Sequence, residues 1–319
     1  MLFRMEIGFI KCHGSGNEFV MIDAVRSDMS AVPLPVLARA ACDRRNGIGA
    51  DGLLVLVYNR VNCLYGMRMF NPDGTEAEMC GNGIRCIARL AQKYENSDNF
   101  RLISGGREYA VARCGQLAEG VPAFSVRIPV RLWSDDFAMF SPDEEFIART
   151  IADLDENLLF TAINVGNPHI VAKVEHVDYD LLARLGEKVK HLPQVFPHGV
   201  NVSLVEVRSR NEIFVATYER GAGITASCGT AMTSSATAMT LLGECDFDSR
   251  IDVLNRGGMV RCYCSREGGL STMLIGNATY EYTGRIFFDE SEFRFVVDRE
   301  CNAERKAYEK FLTDLKVRI

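Results

Sequence analysis

The 319-residue chain has eleven cysteines but no Cys-x-x-Cys pair and no second cluster at zinc-ligand spacing. A dithiol redox centre and a structural zinc site are therefore both left without their ligand pattern. There is no basic stripe either. Lys and Arg number 36 against 42 Asp and Glu, for a formal net charge of −6, whereas a nucleic-acid surface needs clustered cations that release counterions. Residues 1–10 include Arg4 and Glu6 and lack a long apolar core ending in small residues, so no secretory leader is expected. The long charge-free stretch, 222–243, is made mostly of Gly, Ala, Ser and Thr. A buried helix behind a glycine-rich loop accounts for it better than a membrane span. With an odd cysteine count, these absences predict a reduced, cytoplasmic protein with no nucleic-acid or membrane partner.

The chain is 47% hydrophobic and 24% charged, enough for two ordinary cores. Short alternating or apolar runs predict strands at 53–58, 67–70, 109–113, 124–130, 170–174, 202–207, 213–218, 272–275 and 285–288. Helices are predicted at 35–42, 83–94, 142–152, 179–185, 230–242 and 302–315, several of them bounded by Pro at the start or Gly after the end. The class is α+β.

Counting back from two Cys-Gly dipeptides exposes a repeat. Asn71 precedes Cys80 by nine residues, as Glu219 precedes Cys228. Asp51 lies 29 before Cys80 and Asn201 lies 27 before Cys228; Asn17 and Asn167 lie 63 and 61 before. In each half a strand leads through a glycine-bearing turn to Cys-Gly and then a helix. A pseudo-twofold arrangement of such halves would set two thiols face to face.

A thiol at a helix mouth is a proton carrier, because unpaired amides and the helix dipole favour its thiolate. The same amides form an anion site suited to an α-carboxylate, and the glycine after each cysteine allows close approach. Inverting a stereocentre needs a base on one face and an acid on the other, and a thiolate with a thiol supplies both.

Eight stretches, in order, resemble the diaminopimelate epimerase family: Lys11-Cys12-His13-Gly14-Ser15-Gly16-Asn17, Gly47-Ile48-Gly49-Ala50-Asp51-Gly52, Phe70-Asn71-Pro72-Asp73-Gly74, Glu78-Met79-Cys80-Gly81-Asn82-Gly83, Gly166-Asn167-Pro168-His169, Gly199-Val200-Asn201-Val202, Glu219-Arg220-Gly221-Ala222-Gly223 and Cys228-Gly229-Thr230. The likeness runs from about Phe9 to Phe288. It implies two pseudo-symmetric halves, each a strand-built barrel around a central helix, with the active site in the cleft between them. The halves are expected at 1–125 plus 284–319, with Cys80, and at 126–283, with Cys228. The implied reaction interconverts LL- and meso-diaminopimelate, in lysine and peptidoglycan precursor synthesis, without pyridoxal phosphate or metal.

By motif, Cys80 and Cys228 become the acid/base pair, assisted by His169 and Glu219. Gly81, Asn82, Gly229 and Thr230 would hold the reacting amino-acid group. Asn17, Asn71, Asn167, Asn201, Glu219 and Arg220 would make the remaining substrate contacts, with Arg220 presenting a planar fork to a distal carboxylate. The resemblance also allows a homodimer. Four features depart from the family pattern: Ala231-Met232 in place of Gly-Ala, Ile224 where an acid is usual, Ser104-Gly105-Gly106, and a charged tail at 289–319. The alternative within enzymes is a related two-cysteine amino-acid racemase with another substrate, which would leave Arg220 and the asparagines without partners.

Overall fold

A computed structural model describes residues 5–26, 29–141, 144–289 and 292–316. The chain forms two compact units, one made of the described residues through Val126 together with those from Ile275 onward, the other of Arg127–Leu274. The return to the first unit thus comes earlier than position 284, because Asn277 and the strand after it belong to the hydrogen-bonding of the first hairpin.

One order of elements occurs twice. The first pass is β1 (Met5–Gly14), β2 (Asn17–Asp23), α1 (Leu34–Cys42), β3 (Gly52–Asn59), β4 (Leu64–Phe70), β5 (Glu76–Ala77), α2 (Gly81–Ala91), β6 (Asn99–Ser104), β7 (Arg107–Ala118) and β8 (Val121–Pro129). After β9 (Arg149–Ile151) come β10 (Asp155–Asn164), β11 (Pro168–Val174), α3 (Tyr179–Val189), β12 (Asn201–Ser209), β13 (Glu212–Glu219), β14 (Gly223–Thr225), α4 (Gly229–Leu241), β15 (Ile251–Asn255), β16 (Gly258–Ser265) and β17 (Ser271–Asn277). Then β18 (Thr279–Asp289), β19 (Glu292–Glu300) and α5 (Asn302–Lys316) complete the first unit.

The pairings repeat as well. A parallel pair, β2 with β3 or β11 with β12, follows an antiparallel hairpin, and a second parallel pair, β4 with β6 or β13 with β15, follows the helix. Register refines the repeat read from the sequence. Phe19 pairs with Gly52 as His169 pairs with Asn201, and Leu53 with Phe70 as Val202 with Tyr218. Asn201 therefore corresponds to Gly52 rather than to Asp51.

Each unit packs its strands around one helix. α2 touches β1, β2, β3, β4 and β7, and α4 touches β10, β11, β12, β13, β15 and β16. α4 can be buried although it is rich in hydroxyls, because Thr233, Thr237 and Thr240 each donate to the carbonyl four residues back. Among the described residues, no helix is long and apolar enough to cross a membrane.

The helix expected at 142–152 is not formed. Residues 142 and 143 lie outside the described residues; beyond them the chain is irregular up to β9, and Ala148 has φ +49°. Phe146 and Ile151 are drawn into the core of the second unit, Phe146 O accepts from Ala162 N, and Ala148 N donates to Thr161 Oγ1. Bonds to β10 replace the i−4 bonds a helix would need. The charged tail does contain the expected helix, now α5, preceded by β19 along β18.

Candidate active site

Both cysteines are the N-caps of the central helices, in extended backbone with φ −143° at Cys80 and −127° at Cys228. The first helical bonds run from Ile84 N to Cys80 O and from Met232 N to Cys228 O. The amides before them therefore point out of the helix mouth, where an anion is favoured.

In the first unit Cys80 is half-buried, and its Sγ accepts from Gly83 N at 3.4 Å. Asn17 stands beside it. Asp51 takes Asn17 Nδ2 at 3.0 Å and Glu18 N at 2.9 Å, so Asn17 Oδ1 faces the helix mouth, 3.4 Å from Asn82 Nδ2 and 3.8 Å from the Cys80 sulfur. Asn71 is not part of this group. Its side chain donates to Thr75 Oγ1 within its own turn.

In the second unit Cys228 is buried, 3.3 Å from Thr230 Oγ1. Asn167 Nδ2 donates to Thr230 at 3.4 Å, as the matching Asn17 meets Asn82. His169 Nε2 lies 3.1 Å from Asn167 Oδ1 and 3.4 Å from Asn201 Nδ2, and Asn201 Oδ1 accepts from Arg220 N at 2.8 Å. His169 is wholly buried and its Nδ1 has no hydrogen-bond partner among the described residues. Burial, with a smaller effect from Arg220, lowers its pKa to about 3. It reaches the thiol only through Asn167 and Thr230, and at neutral pH its ring is uncharged, so it positions these groups as a neutral imidazole.

Helix position predicts a lowered thiol pKa, but Cys228 is raised well above its ordinary value, first by burial and then by the negative charge of Glu219. Thr225 Oγ1 donates to Glu219 Oε1 and holds that carboxylate in place. Asn71 at the matching position is neutral, so the two thiols are not equivalent. Arg220 is exposed and its guanidinium donates to His198 O. Gly199 makes room for it, since a Cβ there would come within 2.9 Å of Arg220 Cδ.

Arg85 was not foreseen. It is fully buried and donates to Gly81 O (2.8 Å), Asn82 Oδ1 (2.9 Å), Ser15 Oγ (3.3 Å) and Asn277 O (3.4 Å). It thereby ties the first hairpin turn to the mouth of α2. A Cβ at Gly276 would come within 2.7–2.9 Å of the guanidinium. Arg85→Met leaves several buried acceptors unsatisfied, and at about 1–3 kcal/mol for each such group the unfolding free energy should fall by about 3 kcal/mol or more. Denaturant titration checks this; a loss below about 1 kcal/mol means that solvent or repacking replaces the guanidinium.

The family model described as diaminopimelate epimerase matches residues 9–117 and 161–281. A diaminopimelate epimerase of Clostridium acetobutylicum is 35% identical over 316 residues, covering 97% of this chain and 95% of that protein. One from Ligilactobacillus salivarius is 40% identical over 283 residues, covering 85% and 87%. Among solved structures, the Bacillus anthracis phenazine biosynthesis protein of the PhzF family superposes with a TM-score of 0.64 at 16% identity, covering 89% of this chain and 100% of that one, a likeness of fold.

Proposed function

The chain belongs to the diaminopimelate epimerase family, and from that premise we propose that it interconverts LL- and meso-2,6-diaminopimelate by passing hydrogen between Cys80 and Cys228. The observation that carries the reading is the matched pair of N-cap cysteines, each beside an asparagine that bonds the residue two places after it. One sulfur, as thiolate, takes the α-hydrogen as its C–H bond breaks. The other, as thiol, gives its hydrogen to the opposite face and is left as thiolate. In the ligand-free protein burial and the negative charge of Glu219 disfavour the thiolate of Cys228.

Amides at the two helix mouths, from Gly81, Asn82, Gly229 and Thr230, receive the α-carboxylate, on which charge grows as the α-hydrogen leaves. Asn17, Asn167 and Asn201 serve the remaining polar groups, Asn71 would join them only by releasing Thr75, Glu219 assists Cys228, and His169 is a positioning residue. The chemistry requires no cofactor or metal. A cytoplasmic location and a homodimer are part of the proposal, the first supported by the odd count of eleven cysteines.

LL-diaminopimelate incubated in deuterated water without added cofactor should yield meso product carrying solvent deuterium at the inverted carbon, read by mass spectrometry and NMR. Inversion with full retention of the original hydrogen rules out the thiol relay.

The resemblance assigns Arg220 to a distal carboxylate of the substrate. Being exposed, it offers a screened contact worth about 1 kcal/mol or less. Arg220→Met should therefore raise KM for diaminopimelate by up to roughly fivefold with kcat nearly unchanged. Steady-state kinetics test this, and a collapse of kcat would place Arg220 in the transition state.

A further inference from the structure

Away from the thiols, the first unit holds a cavity of about 390 Å³ walled by His13, Glu18, Glu281, Arg305, Tyr308 and Glu309, between the first hairpin, β18 and α5. Its volume falls within the range of small-molecule sites. Its charges are unbalanced. Glu18 is paired with Lys11 at 3.1 Å and Arg44 at 2.8 Å, and Arg305 with Glu300 at 2.9 Å. The side chains of Glu281 and Glu309 have no ion-pair or hydrogen-bond partner among the described residues. Burial raises the Glu281 carboxyl above its ordinary range, with Lys11 and Arg305 only partly offsetting it.

His13 adds an independent observation. It is only 6% exposed, and its Nδ1 accepts from Gly16 N at 3.3 Å and lies 3.2 Å from Asn277 Nδ2. Those donors place the ring proton on Nε2, which has no partner among the described residues in a ring that forms part of the cavity wall. The cavity thus offers an N–H donor on a buried ring at one place and two carboxylates at others. No three His, Cys, Asp or Glu among the described residues converge as metal ligands would.

We propose that this cavity binds a basic amino acid, its carboxylate on His13 Nε2–H and Arg305 and its ammonium groups on Glu281 and Glu309. Gly16 and Glu18, both in the wall, flank Asn17, so an occupant bears on the turn that presents Asn17 to Cys80.

Isothermal titration of the whole protein with L-lysine, L-norleucine and cadaverine tests the assignment. Lysine should bind, and norleucine, lacking the side-chain ammonium, and cadaverine, lacking the carboxylate, should each bind at least about tenfold more weakly, a difference of about 1.4 kcal/mol. The E281Q/E309Q double variant should weaken lysine binding by at least about tenfold while keeping its melting temperature. No lysine binding, equal affinity for norleucine or cadaverine, or a lysine isotherm unchanged in the double variant overturns the proposal. The ligand series needs no substitution, so it decides the matter even if the variant fails to fold.

Discussion

Cys80→Ala and Cys228→Ala should each reduce epimerisation by roughly a thousandfold or more, because each leaves one face of the α-carbon without its proton carrier. The loss should appear in kcat, since no substrate contact other than the sulfur is removed. Fold is not at risk. Each cysteine is the N-cap residue of its helix, with a side-chain cap bond only at Cys80, and alanine removes one sulfur, so thermal midpoints should move little. The variants also carry a finer readout. Each retains one thiol, so each can still exchange the α-hydrogen of the stereoisomer that presents it to that thiol, without inverting the centre. Near-normal turnover by either variant, measured by conversion of LL- to meso-diaminopimelate, would end the two-thiol proposal.

Stability should fall steeply in mild acid, and in both units. His13 in the first unit has its pKa lowered to about 4, chiefly by burial, with Lys11 and Arg85 adding to the effect and Glu18 and Glu304 opposing it. His169 in the second is lowered to about 3, by burial and then Arg220. A depressed folded-state pKa means that the unfolded chain binds more protons, so the stabilisation is complete above the unfolded value near 6.5 and is lost as pH falls toward the folded values. At about 1.4 kcal/mol for each tenfold change, full protonation removes on the order of 3 kcal/mol from each unit. Between pH 6.5 and 5 the carboxylates held below their ordinary range, such as Asp73 and Asp246, remain ionised, so the histidines dominate the slope there. Calorimetry from pH 7 to 5 should show every transition moving down; a flat profile across that window contradicts neutral, buried histidines.

Much of this architecture could be read from the sequence because the two passes differ by small insertions. Asn17 to Cys80 and Asn167 to Cys228 differ by two residues, so counting from the cysteines aligned the halves although few identities remain. Strands with Val, Ile and Leu on both faces, such as β3 and β12, were unambiguous. The stretch 142–152 was misread because Pro142, acidic residues and later apolar positions imitate a helix start, whereas Phe146 and Ile151 are held by contacts from β10 that no local pattern records.

The site was legible by residue type more than by environment. The helix-mouth argument placed both thiols correctly, but it could not weigh burial and Glu219 against the dipole at Cys228. Arg220 was assigned to a distal carboxylate with no sign in the sequence that its side chain is exposed. Arg85 was passed over for the opposite reason, since one cation in Gly81-Asn82-Gly83-Ile84-Arg85-Cys86 looks like a solvent-facing position on an amphipathic helix. Only the strands around α2 show that the helix has no such face.

The placing of Glu219 beside one thiol, with neutral Asn71 at the matching position, bears on the time course of successive turnovers. In the two-thiol scheme every turnover moves the shared proton from one sulfur to the other, so the enzyme that releases product is not the enzyme that bound substrate. The two forms interconvert only through solvent, with no ligand attached. Glu219 and burial disfavour the thiolate at Cys228, and Cys80 has no carboxylate at the matching position, so the two resets differ in energy. At saturating substrate the two directions are then limited by different free-enzyme forms, although the overall equilibrium is untouched. Until its proton has moved, a molecule that has just inverted a centre is set to run that inversion backwards.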